Sequence, residues 1–111
     1  MGYRNLDVLD AARRAADAVN ELIDRKRARR LVCVGQLRDS VQAISANISE
    51  AFGRNPGPDR NHRLVIARGE TEETIQHLGT NFRSGRISAK EHWPIHNLLN
   101  VIVKMLNSML A

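Results

Sequence analysis

The residues best suited to chemistry in this 111-residue chain are basic, and they are crowded. Arg25-Lys26-Arg27-Ala28-Arg29-Arg30 puts five bases in six positions. On a helix such a run goes all the way round, so no single solvated face accounts for it. A helix C-terminus welcomes two or three cations, each worth about 0.3–1 kcal/mol against the negative end of the helix dipole. Five exceed that need and repel one another, which points to a phosphate-contacting cluster. The other candidates carry less. Glu70, Glu72 and Glu73 are types used in metal or acid–base chemistry, but Glu70 and Glu73 share a helix face while Glu72 points elsewhere. With no His or Asp placed to complete it, that set reads as a solvated face or an ion pair between subunits. His92 and His96 have the i, i+4 spacing that chelates zinc, yet Pro94 lies between them and a third ligand is missing. They read as surface or interface histidines. Cys33 is the one cysteine, which rules out an internal disulfide, and its apolar Leu-Val-Cys-Val setting reads as a small buried hydrophobe. With no nucleophile–base pair, Gly-rich phosphate loop or metal set, the expectation is a non-enzyme without cofactor, metal or small-molecule substrate.

Composition agrees with a basic partner-binding surface without proving one. The formal net charge is +5, carried by fourteen Arg and three Lys against twelve acids. The planar Arg fork favours phosphate and carboxylate, hence nucleic acid or an acidic partner. A GC-rich genome also encodes many arginines, and a charged helix face is usually just solvated. Aromatics are limited to Tyr3, Phe52, Phe82 and Trp93, so the core must be built from Leu, Ile, Val, Ala and Met. A chain of this length buries roughly 65% of its unfolded surface in one domain. The opening residues lack a signal-peptide pattern, and the longest apolar runs fall far short of the ~20 residues of a membrane span. A cytoplasmic protein without membrane contact is expected.

Four amphipathic segments must position these residues. The central one is Val34 onward: Val34, Leu37, Val41, Ile44, Ile48 and Ala51 form one helical face, with Phe52 beside the last. Gly53 is expected to end it at positive φ, and Asn55-Pro56-Gly57-Pro58 prevents continuation, giving a helix over 34–53. Before it, Leu9, Ala12, Ala16, Val19 and Ile23 mark a helix over about 6–29, with Asn5 as N-cap and Asp7 and Asp10 in the first turns. The turn between them lies anywhere from Arg27 to Gly35, the only breaker. A third helix, 59–83, has Asp59 as its N-cap or a first-turn acid and carries Leu64, Ala67, Thr71, Thr74/Ile75, Leu78 and Phe82. Its middle is weak, and Gly69 within it costs about 1 kcal/mol relative to Ala and suggests close packing. Ser88 and Glu91 have capping-box spacing for a fourth helix, 89–110, whose apolar face runs from Ile95 to Met109. Pro94, one turn in, is expected to kink or restart it. The result is all-α: a single domain, 1–111, folded as an antiparallel up-down four-helix bundle. That topology gathers Arg25, Lys26, Arg27, Arg29 and Arg30 with Arg83, Arg86 and Lys90 at one end. Arg4, Arg54, Arg60 and Arg63 fall at the other.

Gln36-Leu37-Arg38 and the block Asn47-Ile48-Ser49-Glu50-Ala51-Phe52-Gly53-Arg54 resemble the signature of a small bacterial four-helix bundle family. Its members were first noted as products of intervening sequences in 23S ribosomal RNA genes. The likeness continues through Ile66-Ala67-Arg68-Gly69, Glu73, Gly85-Arg86-Ile87-Ser88 and Met105-Leu106-Asn107, nearly the whole chain. Ser45 stands where the family often has Pro, Ala51 where Gly is usual, and Thr71 and Thr74 where Leu is common. The Arg-rich stretch replaces the usual Pro/Tyr-Gly connection. The resemblance implies a homopentameric barrel without established enzymatic activity. A related group, the accessory proteins of diversity-generating retroelements, is implied to bind nucleic acid and a reverse transcriptase. Asn47, Glu50 and Arg54 follow one another at one-turn spacing and read as a structural polar network that fixes register. The expected function is therefore an oligomeric accessory protein binding RNA or DNA, with a reverse transcriptase as a candidate partner. The alternative is a protein-interaction scaffold whose basic end meets an acidic protein surface.

Overall fold

Four helices form where the apolar stripes lie. The computed structural model describes residues 2–111; the side chains of residues 2–6 and of Ala28 fall outside that description, the base at Arg4 among them. The first helix begins at Gly2 rather than at residue 6, so Asn5 lies within it and is not its cap, and Asp7 and Asp10 lie beyond its first turn. Helix α1 spans Gly2–Lys26, α2 Val34–Phe52, α3 Pro58–Arg83 and α4 Ala89–Leu110. α2 packs against α1 and α3, and α4 closes the ring between α3 and α1. The body measures 43 × 22 × 19 Å. Val19 and Ile23 of α1, Leu37 and Ile44 of α2, Leu78 of α3 and Leu99 of α4 are all fully buried in one core.

The first connection departs from the expected helix over 6–29. α1 stops at Lys26 because Arg27 adopts φ 62°, and Ala28–Arg30 form one 3-10 turn. Cys33, at φ 57°, then starts α2. The reversal thus occupies residues 27–33, with two non-glycine residues in the left-handed region that usually marks Gly or Asn. That is why no breaker signalled it. Gly35 lies inside α2, and Cys33 is only half-buried rather than part of the core.

The second connection also corrects an expectation. Gly53 sits at φ −80°, not at positive φ, and its N–H donates to the Ser49 and Glu50 carbonyls at 3.2 Å. The left-handed requirement falls instead on Gly57, at φ 152°, just before Pro58 opens α3. Asp59 is a first-turn acid there and not the cap. The weak middle of α3 is buried all the same. Thr71 donates to the Ala67 carbonyl at 2.7 Å, and Thr74 Oγ1 lies 2.8 Å from both Ser40 Oγ and the Glu70 carbonyl. Hydroxyls that find partners inside the bundle avoid the penalty of burying them bare. Gly69, by contrast, is exposed, and a Cβ there would meet nothing within 4 Å, so it marks no close approach within the chain.

α3 closes with a Schellman turn. Gly85 takes φ 75°, its N–H donates to the Phe82 carbonyl at 3.0 Å, and Arg86 N–H donates to the Asn81 carbonyl at 2.9 Å. α4 opens on the full capping box, with Ser88 Oγ accepting from Glu91 N–H at 3.1 Å and Glu91 Oε1 accepting from Ser88 N–H at 2.8 Å. Pro94 does not restart the helix, which is continuous from Ala89 to Leu110. Pro94 and Lys90, the residue whose carbonyl loses its i+4 donor, both lie on the exposed face, open to solvent.

Candidate nucleic-acid interface

The end of α1 supplies the first bases. Arg25 lies 3.6 Å from Glu21 on its own helix and 3.6 Å from Glu91 of α4, and Lys26 Nζ is 3.0 Å from Glu91. Arg25, Lys26, Arg27 and Arg30 line one open cavity of about 430 Å³, with Glu91 as its acidic member. A neighbouring cavity of about 460 Å³ adds Lys90, next to Arg25, Glu91 and Pro94. Arg86 reaches across from the α3–α4 turn and donates to the Arg30 carbonyl at 3.3 Å. Six of the eight expected residues therefore adjoin.

The other two sit at the margin. Arg29 is exposed on the 3-10 turn, and Arg83 folds back along α3 to Thr80 Oγ1 at 3.4 Å. Among the described residues, only Arg25 and Lys26 of the eight form ion pairs.

The charge balance is uneven along the bundle. Set against Glu21, Asp24 and Glu91, the eight bases leave five net positive charges, the formal net charge of the whole chain. The nine remaining bases and nine remaining acids cancel. These eight bases and three acids thus carry a net charge equal to that of the whole chain.

Two residues that shape this end escaped the sequence reading as members of it. Asn81 of α3 is buried, and its Oδ1 accepts from Val32 N–H at 2.9 Å while its Nδ2 donates to the Val32 carbonyl at 3.0 Å. It holds the α1–α2 connection against α3 from 49 residues away. An Asn one turn after Leu78 on the apolar stripe was the available signal. Glu91 is more than a cap: its pKa is lowered to about 2, first by the Ser88 backbone N–H and then by Lys26. A fixed negative charge therefore sits among the bases at neutral pH.

An aromatic cluster adjoins the same end. His92 is 3% exposed, contrary to the surface or interface position expected for it, and stacks on Phe82 at 4.1 Å with 5° between planes. Trp93 and His96 complete the group. Burial, then the charges of His96 and Arg83, lower the His92 pKa. The ring is held neutral against Phe82.

Asn47, Glu50 and Arg54 lie at the opposite end. Asn47 donates to the Ala43 carbonyl at 2.8 Å, Glu50 lies 3.4 Å from Arg54, and Arg63 of α3 approaches both Asn47 (3.5 Å) and Glu50 (4.0 Å). Arg63, unforeseen in this role, turns a pairing along α2 into a link between α2 and α3. Glu70 is half-buried, and burial followed by the charges of Glu73 and Asp39 raises its pKa. Among the described residues no three His, Cys, Asp or Glu gather as a metal set, and no helix is long and apolar enough to cross a membrane.

An all-α, four-helix bundle with this central signature defines a family. The sequence profile of the 23S rRNA-intervening sequence proteins matches residues 4–108, and the chain belongs to that family. Among solved structures it is similar to a protein of unknown function from the S23 ribosomal protein family of Bacteroides thetaiotaomicron VPI-5482. The two are 27% identical, with a TM-score of 0.88 over 96% of this chain and 97% of that one. No curated protein matches the sequence significantly.

Proposed function

We propose that this protein is a non-enzymatic, oligomeric accessory protein that binds RNA or DNA through its basic end. One observation carries the reading: the whole net charge of +5 collects where α1 ends and α4 begins, around an open cavity. Arg27, Arg29, Arg30, Arg86 and Lys90 have no carboxylate partner among the described residues, so their forks and ammonium are available to phosphates. Membership of a family named for ribosomal RNA gene insertions is compatible with it. In the fuller form of this reading, five copies form a barrel with their basic ends on one rim, and a reverse transcriptase shares the nucleic acid.

An anisotropy titration against labelled RNA and DNA tests it. Binding is expected at low salt and should weaken about 10³-fold or more between 50 and 200 mM salt for a rim making six or more phosphate contacts. No binding to either polymer at low salt would sink the proposal. Sedimentation analysis decides the copy number independently.

A further inference from the structure

Among the described residues, Trp93 is one of three large hydrophobics left markedly exposed, at 46%, and the largest of them. It stands one turn into α4, three residues after Lys90, so the two side chains are surface neighbours. Phe82 meets it edge-on, while the neighbouring Arg83 folds back along α3 to Thr80. The indole therefore stands at the edge of the basic end, one turn from Lys90.

The rings around it explain its pose. Phe82, His92 and His96 meet the indole at 5.7, 4.6 and 5.1 Å, with interplanar angles of 72°, 73° and 80°. All three contacts are edge-to-face. None of these rings lies parallel on the indole, so the offset-stacked position, the other preferred geometry for a flat ring, is unfilled by the cluster. Meanwhile His92 is pinned in parallel stacking on Phe82, which gives Trp93 a stiff backing. A braced, half-exposed indole at the edge of a basic end is what sequence-tolerant binding of unpaired bases requires: stacking for the base and charge for its phosphate. A duplex hides its base faces and offers only phosphates and groove edges.

The geometry points to a single-stranded nucleic-acid ligand, with Trp93 as the platform on which one base stacks while Lys90 and the neighbouring basic residues hold the backbone. This rests on the nucleic-acid reading above, and its test separates the two. Trp93 is the only tryptophan, so its emission reports on that position. The full chain is titrated at low salt with short single-stranded RNA and DNA of mixed sequence and with the matching duplex. Emission and the anisotropy of a labelled strand are followed together. Single strands are expected to quench the emission, and Trp93→Ala to weaken their binding about 5- to 100-fold while leaving the duplex and the salt slope unchanged. Trp93→Phe, which keeps a ring, should recover much of the loss. Arg27→Gln with Arg30→Gln should weaken single strands and duplex alike. If Trp93→Ala binds single strands like the parent while the arginine pair weakens them, the platform is overturned and the nucleic-acid reading stands. If no polymer binds at all, both fall. If Trp93→Ala changes the sedimenting mass and not the strand preference, the indole is a subunit contact and the platform is again overturned.

Discussion

Glu91 performs three tasks with one carboxylate. It caps α4, receives Lys26 and Arg25 of α1, and sits as the acid inside a basic cavity. Gln serves equally in a capping box, so Glu91→Gln separates the cap from the charge. That variant is expected to keep its helix content by circular dichroism yet bind a polyanion severalfold more tightly at low salt, an advantage that salt removes. Titration gives the residue scale a second handle. His92 has a folded pKa below its ordinary 6.5, so the unfolded chain takes up protons more readily than the folded one as pH falls past that value. Its contribution to stability is complete above pH 6.5 and is lost as pH drops through the lower folded pKa. Glu91, lowered from 4.5 to about 2, shows the same sign further down: its contribution is complete above 4.5 and disappears towards pH 2. Replacing His92 by Phe, a ring of similar size against Phe82, should abolish the upper of these two losses in a melting-temperature profile against pH and leave the lower one. The cap was legible in the sequence; the reach of Glu91 to Lys26 and Arg25 and the burial of His92 were not. The i, i+4 spacing of His92 and His96 suggested chelation or surface or interface positions, because spacing along one helix says nothing about a phenylalanine arriving from another.

Elements were legible where periodicity alone decides them and illegible where the backbone bends without punctuation. The stripe through Leu37, Ile44 and Ile48 and the Ser88–Glu91 box name α2 and the start of α4 directly, since 3.6-residue spacing and reciprocal capping have few alternative readings. The end of α1 had no such sign, because Arg27 and Cys33 take up left-handed backbone that sequence reasoning assigns to glycine. What makes that turn tenable is contributed from a distance by Asn81, whose amide replaces the hydrogen bonds Val32 lacks locally. Asn81→Ala leaves a donor and an acceptor bare beside the core, at about 1–3 kcal/mol for an unmet buried group. A drop of that size in urea unfolding is expected, with faster hydrogen exchange at the amides of residues 27–33. Gly69→Ala should act in the opposite direction. The position is helical, exposed and free of neighbours, so the added methyl removes unfolded-state freedom and raises stability by about 0.5–1 kcal/mol. A denaturation midpoint shifted upward with unchanged slope would confirm it.

At the scale of the whole molecule, helix count and alternation of direction were enough to bring Arg25, Lys26, Arg27 and Arg30 towards Arg86 and Lys90. An up-down bundle leaves no other arrangement of its ends. The sequence could not say how the side chains lie once there, so Arg83 and Arg29 fell to the margin and Glu91 entered unannounced. Separation along the bundle is itself testable. Arg60, beside Phe52 at the far end, should be dispensable: Arg60→Gln is expected to change polyanion affinity by less than about twofold, because screening over ~8 Å in physiological salt isolates it from the basic end. The 43 Å long axis then has a consequence for approach. A body roughly five screening lengths long, neutral over most of its extent and charged at one tip, feels a torque in the field of a polyanion. It swings tip-first before touching, so encounters are aimed rather than random, and broadside collisions, although geometrically more numerous, meet bases and acids in equal number and are held weakly.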